Sequence, residues 1–164
     1  MSLFSRSTWL LAAGAVLAVA TVAQAHVTIG PKESPLGVRE KYVMRVPNER
    51  KTATVKVEGF FPAGLKISSF EDKCGWKVET TRDASGAIVS AVWTGEVPVD
   101  GYAEFGIIAI NPKEGATLAW KFNQTYADGT VVEWSGPKGS KTPGPIVTLT
   151  PAPETAPAPA AAAH

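Results

Sequence analysis

Apolar and polar residues alternate along most of this chain with the two-residue period of half-buried strands. Val38–Pro47, "VREKYVMRVP", sets Val38, Glu40, Tyr42, Met44 and Val46 on one face and Arg39, Lys41, Val43 and Arg45 on the other. Thr52–Glu58 repeats the pattern with Val55 and Val57, and "LKISSFED", "GWKVETTR" and "AIVSAVWTG" follow. Ser85-Gly86, between the last two, is a hairpin signal. "YAEFGIIAI" is more uniformly apolar and predicts a central strand covered on both sides. Thr117–Trp134 predicts a hairpin turning at Ala127-Asp128-Gly129, with Leu118, Trp120 and Phe122 on a shared face. A short strand, Ile146–Leu149, closes the series after "GPKGSKTPGP", and no amphipathic helix interrupts it. Strands at roughly ten-residue spacing without helices between them predict an all-β fold. The expected form is a single-domain antiparallel immunoglobulin-like β-sandwich, with a small closed barrel as the alternative.

The two ends depart from that pattern. Residues 1–25 hold one charged side chain, Arg6, then the apolar run Leu10–Ala20, then Ala23-Gln24-Ala25. A basic start, a short apolar stretch and an A-x-A site read as a cleaved secretory signal peptide. The run is shorter than the roughly 20 residues that a membrane span requires. Pro151–His164, "PAPETAPAPAAAAH", is low-complexity Pro/Ala that cannot bury enough apolar surface to fold, and reads as a disordered tail. The folded domain is therefore expected over 26–150. Cleavage leaves fifteen basic and fifteen acidic side chains, a balance that gives no electrostatic reason to bind nucleic acid. Cys74 is the lone cysteine, so no internal disulfide forms, and its expected place is a small buried site beside Gly75-Trp76.

Candidate chemistry comes down to one residue. There are two histidines: His26, first after the cleavage site, and His164 in the tail. A triad needs an internal histidine, a zinc cluster needs more cysteines, and no glycine-rich phosphate loop is present. An N-terminal histidine offers what an internal one cannot. Its α-amino nitrogen and Nδ1 close a chelate ring on a metal, and a square-planar N/O set selects Cu(II). A carboxylate would complete the set, and the sequence offers Glu33, Glu40, Glu49 or Glu133.

The run "HVTIGPKESPLGVREKYVMRVPNE", His26–Glu49, resembles the start of the YcnI-like copper-binding domain family, also catalogued as DUF1775. "GW" at Gly75-Trp76, "WTG" at Trp93–Gly95, "EFGI" at Glu104–Ile107, "YADGTVVEWSGP" and "PGPIVTL" continue the resemblance over roughly 26–150. It implies a β-sandwich holding one Cu(II) per chain through a single-histidine brace, with metal ligands His26 and Glu40 and with Trp134 nearby. Glu40 lies fourteen positions from His26, across turn signals from Pro31 to Gly37 that a hairpin would use to bring them together. Trp134 would shield the metal, since an indole N–H only donates. The resemblance further implies a periplasmic copper carrier, buffer or metallochaperone rather than an enzyme. Its expected partners are membrane copper transporters or copper-oxidase assembly factors, and the mature chain has no stable membrane anchor. Two other readings stand beside it. A metal-free adhesion or carbohydrate-binding sandwich would use Trp76, Trp93 or Trp120 as platforms. A copper oxidase resembling the lytic polysaccharide monooxygenases would need a second internal histidine.

Overall fold

The computed structural model describes residues 26–152; the expected signal peptide and most of the expected tail lie outside them. Among the described residues there is no helix and there are twelve strands. These are β1 (Thr28–Gly30), β2 (Glu33–Pro35), β3 (Arg39–Pro47), β4 (Thr54–Phe60), β5 (Lys66–Phe70), β6 (Lys77–Arg82), β7 (Ile88–Val97), β8 (Tyr102–Ile110), β9 (Thr117–Ala119), β10 (Lys121–Tyr126), β11 (Val131–Trp134) and β12 (Ile146–Thr150). They form a four-stranded sheet β1-β3-β8-β5, a five-stranded sheet β11-β10-β4-β7-β6 and a small sheet β2-β12-β9. Every pairing is antiparallel except β2 with β12. The fold is a single all-β, immunoglobulin-like sandwich.

Alternation explains the core. Tyr42, Met44 and Val46 of β3 and Phe105, Ile107 and Ala109 of β8 point from one sheet toward Val57, Trp93 and Phe122 of the other, all fully or almost fully buried. Rings knit the two sheets together: Trp93 meets Phe105 and Phe70 at centroid distances of 5.6 Å each. Burying such rings removes large apolar areas from water, the main favourable term in folding. β8 is central and mostly buried, as its apolar run predicts.

Three local expectations change. Thr117–Trp134 is not one hairpin, because its first arm breaks at Trp120. β9 pairs with β12, while β10 pairs with β4 and β11. Trp120, 1% exposed, fills the corner where the chain changes sheets. Residues 28–35, for which the alternation predicts no strand, contain β1 and, within the turn signals of Pro31 to Gly37, β2; three residues each is too short for a periodicity to register. Cys74 is exposed rather than buried, in the loop after β5. Half-buried Trp76 takes the inward place instead, against Gly95 and edge-on to Phe105 at 4.8 Å.

Candidate metal centre

His26 lies two residues before the start of β1, separated from it by Val27, and is half-buried. β1 is the edge of the four-stranded sheet and pairs with β3 at Thr28↔Arg45, Ile29↔Met44 and Gly30↔Val43. Continued by two residues, that register sets His26 opposite Pro47. Proline has no N–H to donate, which accounts for the ladder stopping at Thr28 and for His26 lying outside it. Trp134 ends β11, the edge of the five-stranded sheet, and is 3% exposed. The His26 and Trp134 rings meet edge to face, with centroids 5.6 Å apart and planes at 84°. This contact joins the edge strand of one sheet to the edge strand of the other.

The indole is held from behind. Trp134 Nε1 donates to Oε1 of Gln124 at 3.0 Å. Gln124 is completely buried, and its Nε2 donates to the Pro47 carbonyl at 2.9 Å and to Thr54 Oγ1 at 2.8 Å. The indole N–H is thereby spent, and Trp134 turns only its ring toward His26.

Glu40 is not brought to this pair. It is the second residue of β3 and Pro47 is the last, so seven residues separate Glu40 from the position facing His26. At about 3.3 Å per residue that is roughly 23 Å along the strand. A hairpin through Pro31–Gly37 does form, but hairpins bring together residues equidistant from the turn, and His26 lies too far back to meet Glu40. The Glu40 carboxylate is engaged elsewhere. Its Oε2 accepts from Ser34 Oγ at 2.8 Å and its Oε1 from the Lys41 N–H at 3.1 Å. Behind Ser34 stands Asn111, whose Nδ2 donates to Ser34 Oγ at 2.8 Å and to the Pro35 carbonyl at 2.7 Å. Its Oδ1 accepts from the Tyr42 hydroxyl at 2.7 Å.

Of the other carboxylates, Glu33 lies in β2 beside Thr148. Glu133 neighbours Trp134 on the opposite, exposed face of β11. Glu49 lies two residues beyond Pro47 in the β3–β4 loop, at the His26 end. The loop is clamped by buried Asn48, whose Nδ2 reaches the carbonyls of Thr52, Val97 and Pro98 at 3.0–3.1 Å. Arg50 lies over the Tyr126 ring at 4.7 Å. Burial pushes the Tyr126 phenol above its ordinary range; Arg50 opposes this and the charge of Glu49 adds to it. Among the described residues no three of His, Cys, Asp and Glu cluster as a side-chain metal cage.

Sequence reasoning missed Gln124, although "KFNQTY" carried the signal. Gln124 alternates with Phe122 and Tyr126 on the inward face of a strand, and a polar group there must find partners. The tryptophan platforms fare poorly: Trp93 and Trp120 are each 1% exposed and present no face to a sugar.

Fold and site together define an immunoglobulin-like β-sandwich whose first described residue, a histidine, packs on an edge-strand tryptophan. The chain belongs to the family described as a domain of unknown function, DUF1775, which it matches over residues 26–160. It is similar to the copper-binding protein CutI of Bacillus subtilis (strain 168), with 34% identity over 139 residues, covering 84% of this chain and 68% of CutI. Among solved structures it is similar to an uncharacterized protein from Nocardia farcinica with an immunoglobulin-like fold. That likeness has 26% identity and a TM-score of 0.66, over 76% of this chain and 97% of the other. A cohesin module from Clostridium perfringens shares the fold alone, at 11% identity and a TM-score of 0.53, over 77% of this chain and 96% of the module.

Proposed function

We propose that the chain, once cleaved before His26, binds one Cu(II) and serves as an extracytoplasmic copper carrier or buffer rather than an enzyme. The observation that carries this reading is the seating of His26 on Trp134, with the indole N–H withdrawn to Gln124. Similarity to CutI, a copper-binding protein, supports the choice of metal. The donor set fits a tetragonal Cu(II) site: an imidazole and an α-amino nitrogen from one residue, with a carboxylate to balance charge. Glu49 supplies that carboxylate in this reading, because the β1–β3 register puts it at the His26 end and carries Glu40 away. Trp134 covers one side of the site and limits water access.

Copper is the cargo, and the protein's part is to present donors. The amine exists only after cleavage, so an uncleaved chain offers an amide nitrogen and no chelate ring. The amine also has to lose its proton. Free α-amino groups titrate near about 7.7–8.0, so binding weakens as pH falls below that range. A monooxygenase-type site needs another histidine, and His26 is the sole one among the described residues. Sulfur donors suited to Cu(I) are not gathered here: Met44 is fully buried, and Cys74 follows β5, the edge of its sheet farthest from β1. We place the protein in the periplasm, passing Cu(II) to membrane copper transporters or to assembly factors of copper oxidases.

The test is Cu(II) titration of a chain beginning at His26, followed by EPR. One equivalent with a tetragonal N/O signal is expected, abolished in His26→Ala and in a chain whose His26 amine is acetylated. Equal binding by the acetylated chain would exclude the amine as a ligand.

A further inference from the structure

The geometry points to Gln124 as the positioning residue of this site, a role that rests on the copper reading but makes a separate structural claim. Gln124 reaches both halves of the His26–Trp134 contact. Through Oε1 it fixes the indole of β11; through Nε2 it grips the carbonyl of Pro47, the β3 residue that the β1–β3 register, continued by two residues, sets opposite His26. One side chain on β10 therefore ties the edge of the five-stranded sheet to the strand that carries β1 in the other sheet.

The direction of its amide is dictated by chemistry. A carbonyl can only accept and an indole N–H can only donate, so Nε2 must face Pro47 and Oε1 must face Trp134. The Thr54 hydroxyl takes the second Nε2 hydrogen. Both donors and the acceptor are thus satisfied in a fully buried site, where a flipped amide would set oxygen against the Pro47 carbonyl and NH₂ against the indole N–H and lose both bonds. The consequence at the surface is a single indole orientation: N–H inward, ring toward His26. Without Gln124 the indole N–H would seek another acceptor, and the His26 imidazole, whose ring centre lies 5.6 Å from that of the indole, is one beside it. Gln124 keeps Trp134 a wall rather than a competitor for His26.

Partners behind a metal ligand commonly change affinity by about 10–100-fold when removed, and Gln124→Met is expected near the lower end of that range. The Cu(II) EPR signal should shift with it. In the metal-free chain, the His26 ring protons of the wild type should carry a ring-current shift from Trp134, and Gln124→Met should lose it. If Gln124 acts through Trp134, the loss in Gln124→Met and the loss in Trp134→Ala will not add, and the double variant will bind like Trp134→Ala alone. Wild-type affinity and ring-current shift in Gln124→Met, or fully additive losses, would overturn the role. Should Gln124→Met fail to fold, Trp134→Phe decides: it keeps a ring but cannot bond Gln124, so affinity and the His26 shift should both fall, and retention of both overturns the proposal. Absence of Cu(II) uptake by the wild type would instead overturn the copper reading, while the metal-free NMR shifts still judge Gln124.

Discussion

The two ends of β3 are built on the same device and put to different ends. At each, a buried carboxamide donates to one proline carbonyl and one hydroxyl and accepts from one aromatic side chain. Gln124 serves Pro47, Thr54 and Trp134. Asn111 serves Pro35, Ser34 and Tyr42. Each network crosses between sheets where backbone ladders cannot. The difference lies in what each network reaches outward. Asn111 leads through Ser34 to Glu40, a carboxylate already supplied with donors, so that end is closed and its function is to hold β2 against β3 and β8. Gln124 leads through Trp134 to His26, whose own donors are committed to no protein partner by that network. Polar satisfaction alone therefore does not mark a site; what matters is whether the chain of partners ends in a group with coordination left to offer.

Breaking the closed end should have the largest effect on stability and the smallest on copper. Asn111→Leu takes from the interior the acceptor of the Tyr42 hydroxyl and the donor to the Pro35 carbonyl, at a cost on the order of 3 kcal/mol, measurable by urea denaturation. Its Cu(II) affinity at a temperature where it remains folded should match the wild type. A large loss of affinity with little loss of stability would reverse the assignment of the two ends.

The carboxylates sharpen the same contrast with a smaller effect. Glu49→Gln should weaken Cu(II) binding about tenfold, near 1.4 kcal/mol. Glu40→Gln should leave binding unchanged and cost about 0.5–1.5 kcal/mol of stability, because an uncharged amide oxygen still accepts from Ser34 but less strongly. If titration calorimetry finds the larger binding loss in Glu40→Gln, the hairpin expectation holds and the register argument fails.

That contrast also shows what the sequence could and could not disclose. Alternation in β3, β4, β7 and β8 exposes the sandwich directly, because each strand is long enough to repeat its inward face. His26 and Trp134 are singled out in the sequence, one by its place behind the A-x-A tripeptide and the other by the family resemblance, and the structure brings their rings together. Glu40 stands apart from them: its neighbours in sequence match the family, while its distance from His26 is set by a β1–β3 pairing whose partners lie 13 to 17 positions apart. A register in a hairpin is fixed by where the ladder begins, and a three-residue strand such as β1 gives almost no pattern from which to read it. Gln124 is hidden for another reason: its importance arises from three partners on β3, β4 and β11, none adjacent to it in sequence.

The smallest expected effect is a pH dependence at the closed end. Burial pushes the Tyr42 phenol above its ordinary value, partly offset by hydrogen bonds with Ser34 and Asn111 and reinforced by the charge of Glu40. A phenol raised in the folded state holds its proton after the unfolded one has ionised, near about pH 10. Above that pH the folded chain binds more protons than the unfolded chain, so stability present below pH 10 is lost as pH rises through the folded value. Tyr126, at the other end of the sandwich, is raised by burial in the same direction, but there Arg50 works against the shift. Urea midpoints taken from neutral pH to about pH 11 should therefore fall in the wild type and fall less in Tyr42→Phe and in Tyr126→Phe. Tyr42→Phe should also begin about 1 kcal/mol less stable at neutral pH, having left Asn111 Oδ1 without its donor. A wild-type slope in Tyr42→Phe would mean that its phenol ionises alike in both states, and that the closed end is more open to water than its burial implies.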